Sequence, residues 1–150
     1  MADYALAEDR GKDAARQMRL GWLRDFAALP QERDIRVSKF YGKRHDASQV
    51  VGYGKVAAIF HMLRDQVGTN IFDQAFRLFW MRHKFRAARW SDIQAAFEKS
   101  AGRDLTWFFD QWLQRPGAPK LALGESHLAK KNGQHQLTFK VSQEQPVYRL

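Results

Sequence analysis

The five histidines are the side chains in this sequence best suited to bind a metal. A hydrolytic zinc site on a helix often has the form His-Glu-x-x-His, because that spacing places both imidazole rings on one face. No two of the five histidines stand in this form, and they are far apart in the chain. His61 is the one that could face a site, and a hydrogen-bonded core histidine is the interpretation we favour for it. The sequence therefore predicts no metal site within this chain.

Thiol and serine chemistry find no support in the sequence either. The chain has no cysteine, which excludes disulfides, thiol catalysis and thiolate metal sites. None of its serines lies in a Gly-x-Ser-x-Gly motif. The run Gly52-Tyr53-Gly54-Lys55 looks like a glycine-rich phosphate loop, but it lacks both of the known phosphate-binding spacings.

The segment around Tyr53 carries a family resemblance. Residues 47–63 read Ala-Ser-Gln-Val-Val-Gly-Tyr-Gly-Lys-Val-Ala-Ala-Ile-Phe-His-Met-Leu, which resembles the Tyr-x-Lys-Gly-Ala segment of aminopeptidase N-like gluzincins, zinc metallopeptidases of the M1 family. The likeness continues in order through the region of Phe72, Trp90-Ser91-Asp92-Ile93 and Arg115-Pro116-Gly117-Ala118-Pro119. Val56 stands where the family usually has glycine, so we expect the packing at that point to differ.

The resemblance implies a catalytic role for Tyr53. In this family a zinc ion polarises the scissile carbonyl and activates a water, while a tyrosine hydroxyl donates a hydrogen bond to the oxyanion of the tetrahedral intermediate. Tyr53 takes the place of that tyrosine. Without the family pattern, a tyrosine at the edge of the core with its hydroxyl in water would be the simpler interpretation. For Lys55 the alternatives are support of the tyrosine and exposure to solvent, and we favour exposure.

The resemblance also implies what the parent protein contains outside this chain. Ala2-Asp3-Tyr4 resembles the helix that follows the third zinc ligand, a glutamate, so we expect all three ligands upstream of residue 1. Zinc is then the cofactor of the parent, none is expected in this chain, and the isolated chain is expected to be inactive. The partners are the upstream half of the same catalytic domain and a peptide substrate. Without that upstream half, this chain would expose apolar faces, and we expect these faces to promote self-association.

Helical patterns cover about the first three quarters of the chain and must position Tyr53. Strong helix formers run from Ala2 to about Leu29, broken at Gly11-Lys12, with Asp13 as the cap of the second helix. After a polar loop, Ser48 is predicted to cap a helix that runs to Val67, stops at Gly68 and is apolar on nearly every side. A helix of that kind is enclosed by its neighbours, so we expect it to be central.

Aromatic stripes mark the later helices. Phe72, Phe76 and Phe79 recur at helical spacing in a helix that Asn70 is predicted to cap. A capping box from Ser91 to Gln94 opens a helix that ends at Gly102, and Asp104 caps the last one. The last helix places four large apolar side chains on one face, which we interpret as packing rather than as a cofactor platform: Leu105, Phe108, Phe109 and Trp112.

After residues 115–119 the apolar period changes from helical to alternating. Asn132-Gly133 between two alternating runs predicts a β hairpin, and a further strand is predicted at the very end, from Pro146 to Leu150. The fold class is therefore mainly α: a helical bundle in residues 1–117 and a short β hairpin in residues 118–150. By resemblance, these are the C-terminal subdomain of a thermolysin-like catalytic domain and the start of a truncated β-sandwich.

The formal net charge of +9 raises the possibility of an anionic partner. Basic residues are scattered among carboxylates, and the densest group, residues 82–89, falls at a helix end, where cations favour the helix dipole. We therefore expect no nucleic acid partner, and a non-catalytic basic helical module that binds an acidic protein or nucleic acid is the alternative function. No apolar run is long enough for a membrane span, and the sequence does not indicate a compartment.

Overall fold

A computed structural model describes residues 2–42 and 49–150. Within these ranges the mainly helical fold with a C-terminal β hairpin is confirmed. No helix of the described residues is both long and apolar enough to cross a membrane. The helices and strands are α1 (Ala2–Arg10), α2 (Lys12–Ala27), α3 (Val56–Val67), α4 (Thr69–His83), α5 (Trp90–Ala101), α6 (Thr106–Phe109), β1 (Leu121–Lys131) and β2 (Gln134–Gln143).

Four short helical segments of other types lie between these helices and strands. Two 3₁₀ turns, Gln31–Arg33 and Val37–Lys39, lie in the connection after α2. Two π-helical segments, Val50–Lys55 and Asp110–Gln114, precede α3 and follow α6 without a break. By internal contacts the chain divides into two compact units, Met1–Pro116 and Gly117–Leu150.

The core of the helical unit is aromatic, as the stripes predict. The ring of Phe97 in α5 is fully buried and lies 5.5 Å from Phe72 and 5.3 Å from Phe76 of α4, between ring centroids. Phe60 of α3 reaches the same cluster, 5.3 Å from Phe76. The four residues of the last helical stripe are all buried too: Leu105, Phe108, Phe109 and Trp112. Interpreting these rings as packing material is therefore confirmed.

The helix ends that depend on glycine agree with the sequence. α3 ends at Gly68 and α5 at Gly102, with φ of 83° and 62°, a region that a side chain with a Cβ atom rarely adopts. The cap predicted at Asp104 is wrong, because α6 begins at Thr106 and Leu105 holds the cap position without a side-chain cap. The Asp104 carboxylate accepts hydrogen bonds from the amide and the hydroxyl of Thr106, at 3.3 and 2.7 Å.

Three other predicted caps are wrong as well. α4 already begins at Thr69, because Gly68 turns the chain directly into the helix, and Asn70 lies inside it. α5 begins at Trp90, so Ser91 is inside the helix too, and its capping carboxylate is that of Asp92, which accepts from the Arg89 amide at 2.7 Å. α2 begins at Lys12 after Gly11, which leaves Asp13 within its first turn. The predicted cap Ser48 lies outside the described residues.

The second unit contains the predicted hairpin. β1 and β2 pair antiparallel, with Leu128 opposite Leu137. Asn132 and Gly133 both have positive φ, 51° and 79°, as a two-residue hairpin turn requires. The strand predicted from Pro146 to Leu150 is wrong. The backbone N–H and C=O of Tyr148 bind the side-chain amide of Gln143, at 2.9 Å each, instead of a neighbouring strand.

Candidate functional site

Tyr53 lies on an irregular turn of helix. The segment Val50–Lys55 winds as a π-helix, and at its end the N–H of Val56 bonds to the carbonyl of Val51, five residues earlier. Such wide turns are rare, and they are frequent at functional sites. Tyr53 is 60% exposed, although it is a large aromatic residue.

Tyr53 lines a cleft of about 450 Å³ between the π segment and the first two helices. That volume is within the range typical of small-molecule sites. The other lining residues come from α1, from α2 and from the chain around Tyr53: Asp3, Tyr4, Met18, Trp22, Asp25, Gln49, Val50, Gly54 and Ala57. Two acidic side chains, Asp3 and Asp25, therefore border the same cleft as the phenol.

The two glycines beside Tyr53 let aromatic rings approach the backbone. A Cβ atom at Gly52 would lie 2.2 Å from the ring of Phe40, so no larger residue fits there without movement of that ring. The same ring stands edge-on to Tyr53, with 6.3 Å between the centroids. On the other side, a Cβ at Gly54 would lie 3.8 Å from the ring of Trp22, which is an ordinary contact. Phe40 and Gly52 thus fix the backbone that carries Tyr53.

Lys55 does not face solvent, so the interpretation favoured from the sequence is wrong. Its ammonium lies 3.2 and 3.4 Å from the two carboxylate oxygens of Asp34, and both side chains are only 7% exposed. The ammonium is also 5.0 Å from the ring centroid of Phe26. Burial lowers the pKa of Lys55, and the Asp34 carboxylate counteracts that shift. Residues two apart on a helix point in nearly opposite directions, which explains why Lys55 is buried when Tyr53 is exposed.

A polar network surrounds the buried ring of Tyr4, which also lines the cleft. Arg19 donates a hydrogen bond to the Tyr4 hydroxyl. Arg64 binds both carboxylate oxygens of Glu8, at 2.8 and 2.5 Å, and these hydrogen bonds lower the pKa of Glu8. The His61 ring packs against Tyr4, 5.2 Å between centroids, and burial lowers the pKa of its imidazole. His61 therefore belongs to the packing around Tyr4.

The described residues include no group of three or more His, Asp or Glu side chains that could hold a metal ion. Asp3 and Asp25, the acidic pair in the cleft, do not by themselves make such a group. The side chains in ranges 2–42 and 49–150 therefore do not fit a zinc ion.

The sequence did not reveal several residues that build the site. Trp22, Asp34 and Phe40 reach Tyr53 or its segment from more than ten residues away along the chain, and no local pattern marks such contacts. One signal was available in Tyr53-Gly54-Lys55. A spacing of two places the two side chains on opposite sides of a helix, so an exposed tyrosine requires an inward lysine.

Comparison with known proteins identifies the class. The model of the peptidase family M1 domain matches residues 24–112, which include Tyr53, the Lys55–Asp34 pair and the aromatic core. The chain belongs to the peptidase M1 family.

Individual relatives agree with this assignment. The chain is similar to aminopeptidase N of Lactococcus lactis subsp. lactis, 30% identical over 67 residues, 45% of this chain and 8% of the relative. It is 33% identical over 67 residues to aminopeptidase N of Streptomyces lividans, again 45% and 8% of the two chains. It is 28% identical over 76 residues to tricorn protease-interacting factor F2 of Thermoplasma acidophilum, 51% and 10% of the two chains. The chain thus matches about a tenth or less of the length of these relatives.

Proposed function

We propose that this chain is part of a zinc-dependent aminopeptidase and that Tyr53 supplies the hydrogen bond to the oxyanion formed when the peptide bond is attacked. The observation that carries the proposal is the position of Tyr53, exposed on the wall of a cleft of about 450 Å³. The names of two relatives, aminopeptidase N in both, support the aminopeptidase activity of the parent protein.

A phenol suits this task. It donates one O–H hydrogen bond and carries no charge at neutral pH, so it stabilises negative charge without forming an ion pair with the substrate beforehand. The hydrogen bond strengthens as charge develops on the carbonyl oxygen, and only interactions that are stronger in the transition state accelerate the reaction. In this proposal Tyr53 raises kcat and contributes little to substrate affinity.

The position of α1 is consistent with this proposal. Its first turn, with Asp3 and Tyr4, lines the same cleft as Tyr53, and it is the segment that resembles the helix after the family's third zinc ligand. Zinc would be bound by residues of the parent outside the described ranges. The upstream half of the catalytic domain is then the partner that completes the site, and neither nucleic acid nor a membrane has a part in it.

The test uses the parent protein and a panel of aminoacyl amide substrates. Tyr53→Phe is expected to lower kcat by about a hundredfold to a thousandfold, with KM changed by less than about twofold, as for loss of one oxyanion donor. Tyr41→Phe is the matched control, because Tyr41 is 89% exposed and does not line the cleft. Equal zinc content in all three proteins would exclude metal loss as the cause. An unchanged kcat in Tyr53→Phe would remove Tyr53 from the mechanism.

A further inference from the structure

The Lys55–Asp34 ion pair is buried more completely than stability alone would favour. Both side chains are 7% exposed, and the ammonium contacts both carboxylate oxygens. Removing two charges from water costs several kcal/mol per ion, and apolar residues of similar volume often replace such pairs without loss of stability. A buried pair of this kind is better suited to fixing one arrangement of the chain than to strengthening the fold.

The pair joins three parts of the chain at the π segment. Lys55 is the last residue of Val50–Lys55, Asp34 directly follows the 3₁₀ turn Gln31–Arg33, and the ammonium also lies over the ring of Phe26 near the end of α2. Lys55 is thus fixed on the inner side of the same turn that exposes Tyr53 on the outer side. A rotation of this turn that moved the Tyr53 side chain would have to pull the ammonium away from the carboxylate.

We infer that Lys55, through its ion pair with Asp34, is a positioning residue that fixes the direction in which Tyr53 is presented to the cleft. The inference depends on the proposed function of Tyr53. Phe40, whose ring lies against Gly52, limits the π segment from the side, while Lys55 anchors its end. Lys55 acts on the reaction only through the tyrosine, because its own side chain is directed into the protein.

The principal test is the double variant Lys55→Met, Asp34→Leu in the parent protein. This change removes both charges of the pair at once, so neither partner is left as a buried charge opposite the lost one, and thermal denaturation shows whether the variant is folded. A displacement of the phenol by about 1 Å is expected to lower kcat about tenfold to a hundredfold, with KM changed by less than about twofold. Lys99→Met is the matched control, since Lys99 is exposed on α5 and the same chemical change there should leave kcat unaltered.

A double-mutant cycle with Tyr53→Phe separates positioning from general structural damage. If the ion pair acts through the hydroxyl, the Lys55→Met, Asp34→Leu change should lower kcat far less in the Tyr53→Phe background than in the unchanged protein. Damage to the whole site would lower kcat by a similar factor in both backgrounds. That result, or a folded double variant with the kcat of the unchanged protein, overturns the inference.

Asp34→Asn keeps the test decisive if the double variant fails to fold. It preserves the shape of the side chain and removes its charge, and we expect kcat to fall about threefold to tenfold, again only while the Tyr53 hydroxyl is present. Unchanged kcat in folded Asp34→Asn also overturns the inference. These outcomes leave the role of Tyr53 intact, whereas an unchanged kcat in Tyr53→Phe alone removes the proposed function and this inference with it.

Discussion

The ring of Phe40 occupies the space that any side chain at position 52 would need, so Gly52 and Phe40 are compatible only as a pair. A Cβ atom at Gly52 would lie 2.2 to 2.5 Å from three atoms of the ring, far closer than a van der Waals contact. The same ring stands edge-on to Tyr53. A larger residue at position 52 would therefore displace a ring that packs against the candidate catalytic side chain.

Gly52→Ala should therefore lower the free energy of unfolding by about 1 to 3 kcal/mol, as overpacking generally does. Urea denaturation would measure this change. Gly54→Ala is the matched control. The nearest atom to a Cβ there is 3.8 Å away, so this change should be neutral or stabilise the helix slightly. In a Phe40→Ala background the cost of Gly52→Ala should largely disappear. An equal cost with and without the Phe40 ring would contradict the packing argument.

The Glu8–Arg64 ion pair predicts an acid-dependent loss of stability. Hydrogen bonds from Arg64 lower the pKa of Glu8, so the folded state holds its proton less tightly than the unfolded state, whose glutamates ionise near pH 4.3. The stabilisation is complete well above that pH and is lost as the pH falls through the lowered pKa of the folded protein. The pair is partly exposed, so we expect about 1 kcal/mol at pH 7.

Thermal denaturation of the Glu8→Gln variant from pH 7 to pH 3 tests whether the Glu8–Arg64 ion pair stabilises the fold in this pH-dependent way. The variant should be less stable than the unchanged protein at pH 7, and the difference should shrink below about pH 4.3. Glu32→Gln is the control, because Glu32 is exposed on a 3₁₀ turn and should show no such difference. A difference that stays constant over the whole pH range would show that the charge of Glu8 is not what stabilises the fold.

One face of the hairpin is predicted to associate with a second copy of this chain. Leu137, Phe139 and Val141 alternate with polar residues along β2 and are 60%, 52% and 49% exposed. An exposed apolar face of this kind promotes association. Light scattering should show a molar mass that rises with protein concentration, and Phe139→Lys should lower it. Thr138→Lys adds the same charge on the opposite face and should have little effect. A concentration-independent monomer would refute this prediction.

Much of the fold was predictable because it depends on local signals. The helix ends at Gly68 and Gly102 and the turn at Asn132-Gly133 follow from backbone angles that few other residues adopt. The aromatic stripes were predictable from helical spacing alone. The caps at Asn70 and Ser91 failed because the chain had already entered the helix at Thr69 and Trp90.

The candidate site was less predictable because tertiary contacts build it. The family pattern singled out Tyr53, but no periodicity distinguishes a π-helical turn from an α-helical one over six residues. The burial of Lys55 could not be predicted from its neighbours, because its partner Asp34 is 21 residues away in the sequence. Contacts between residues this far apart in the sequence cannot be predicted from the local sequence pattern.

The wide winding of Val50–Lys55 also limits how this site can be transferred to another protein. A π turn accommodates more residues than an α turn, so residues on either side of it are rotated relative to the register of a continuous α-helix. Copying Gly-Tyr-Gly-Lys onto a straight designed helix would aim the phenol in a different direction. A successful graft would need the whole irregular turn together with an aromatic ring beneath its first glycine.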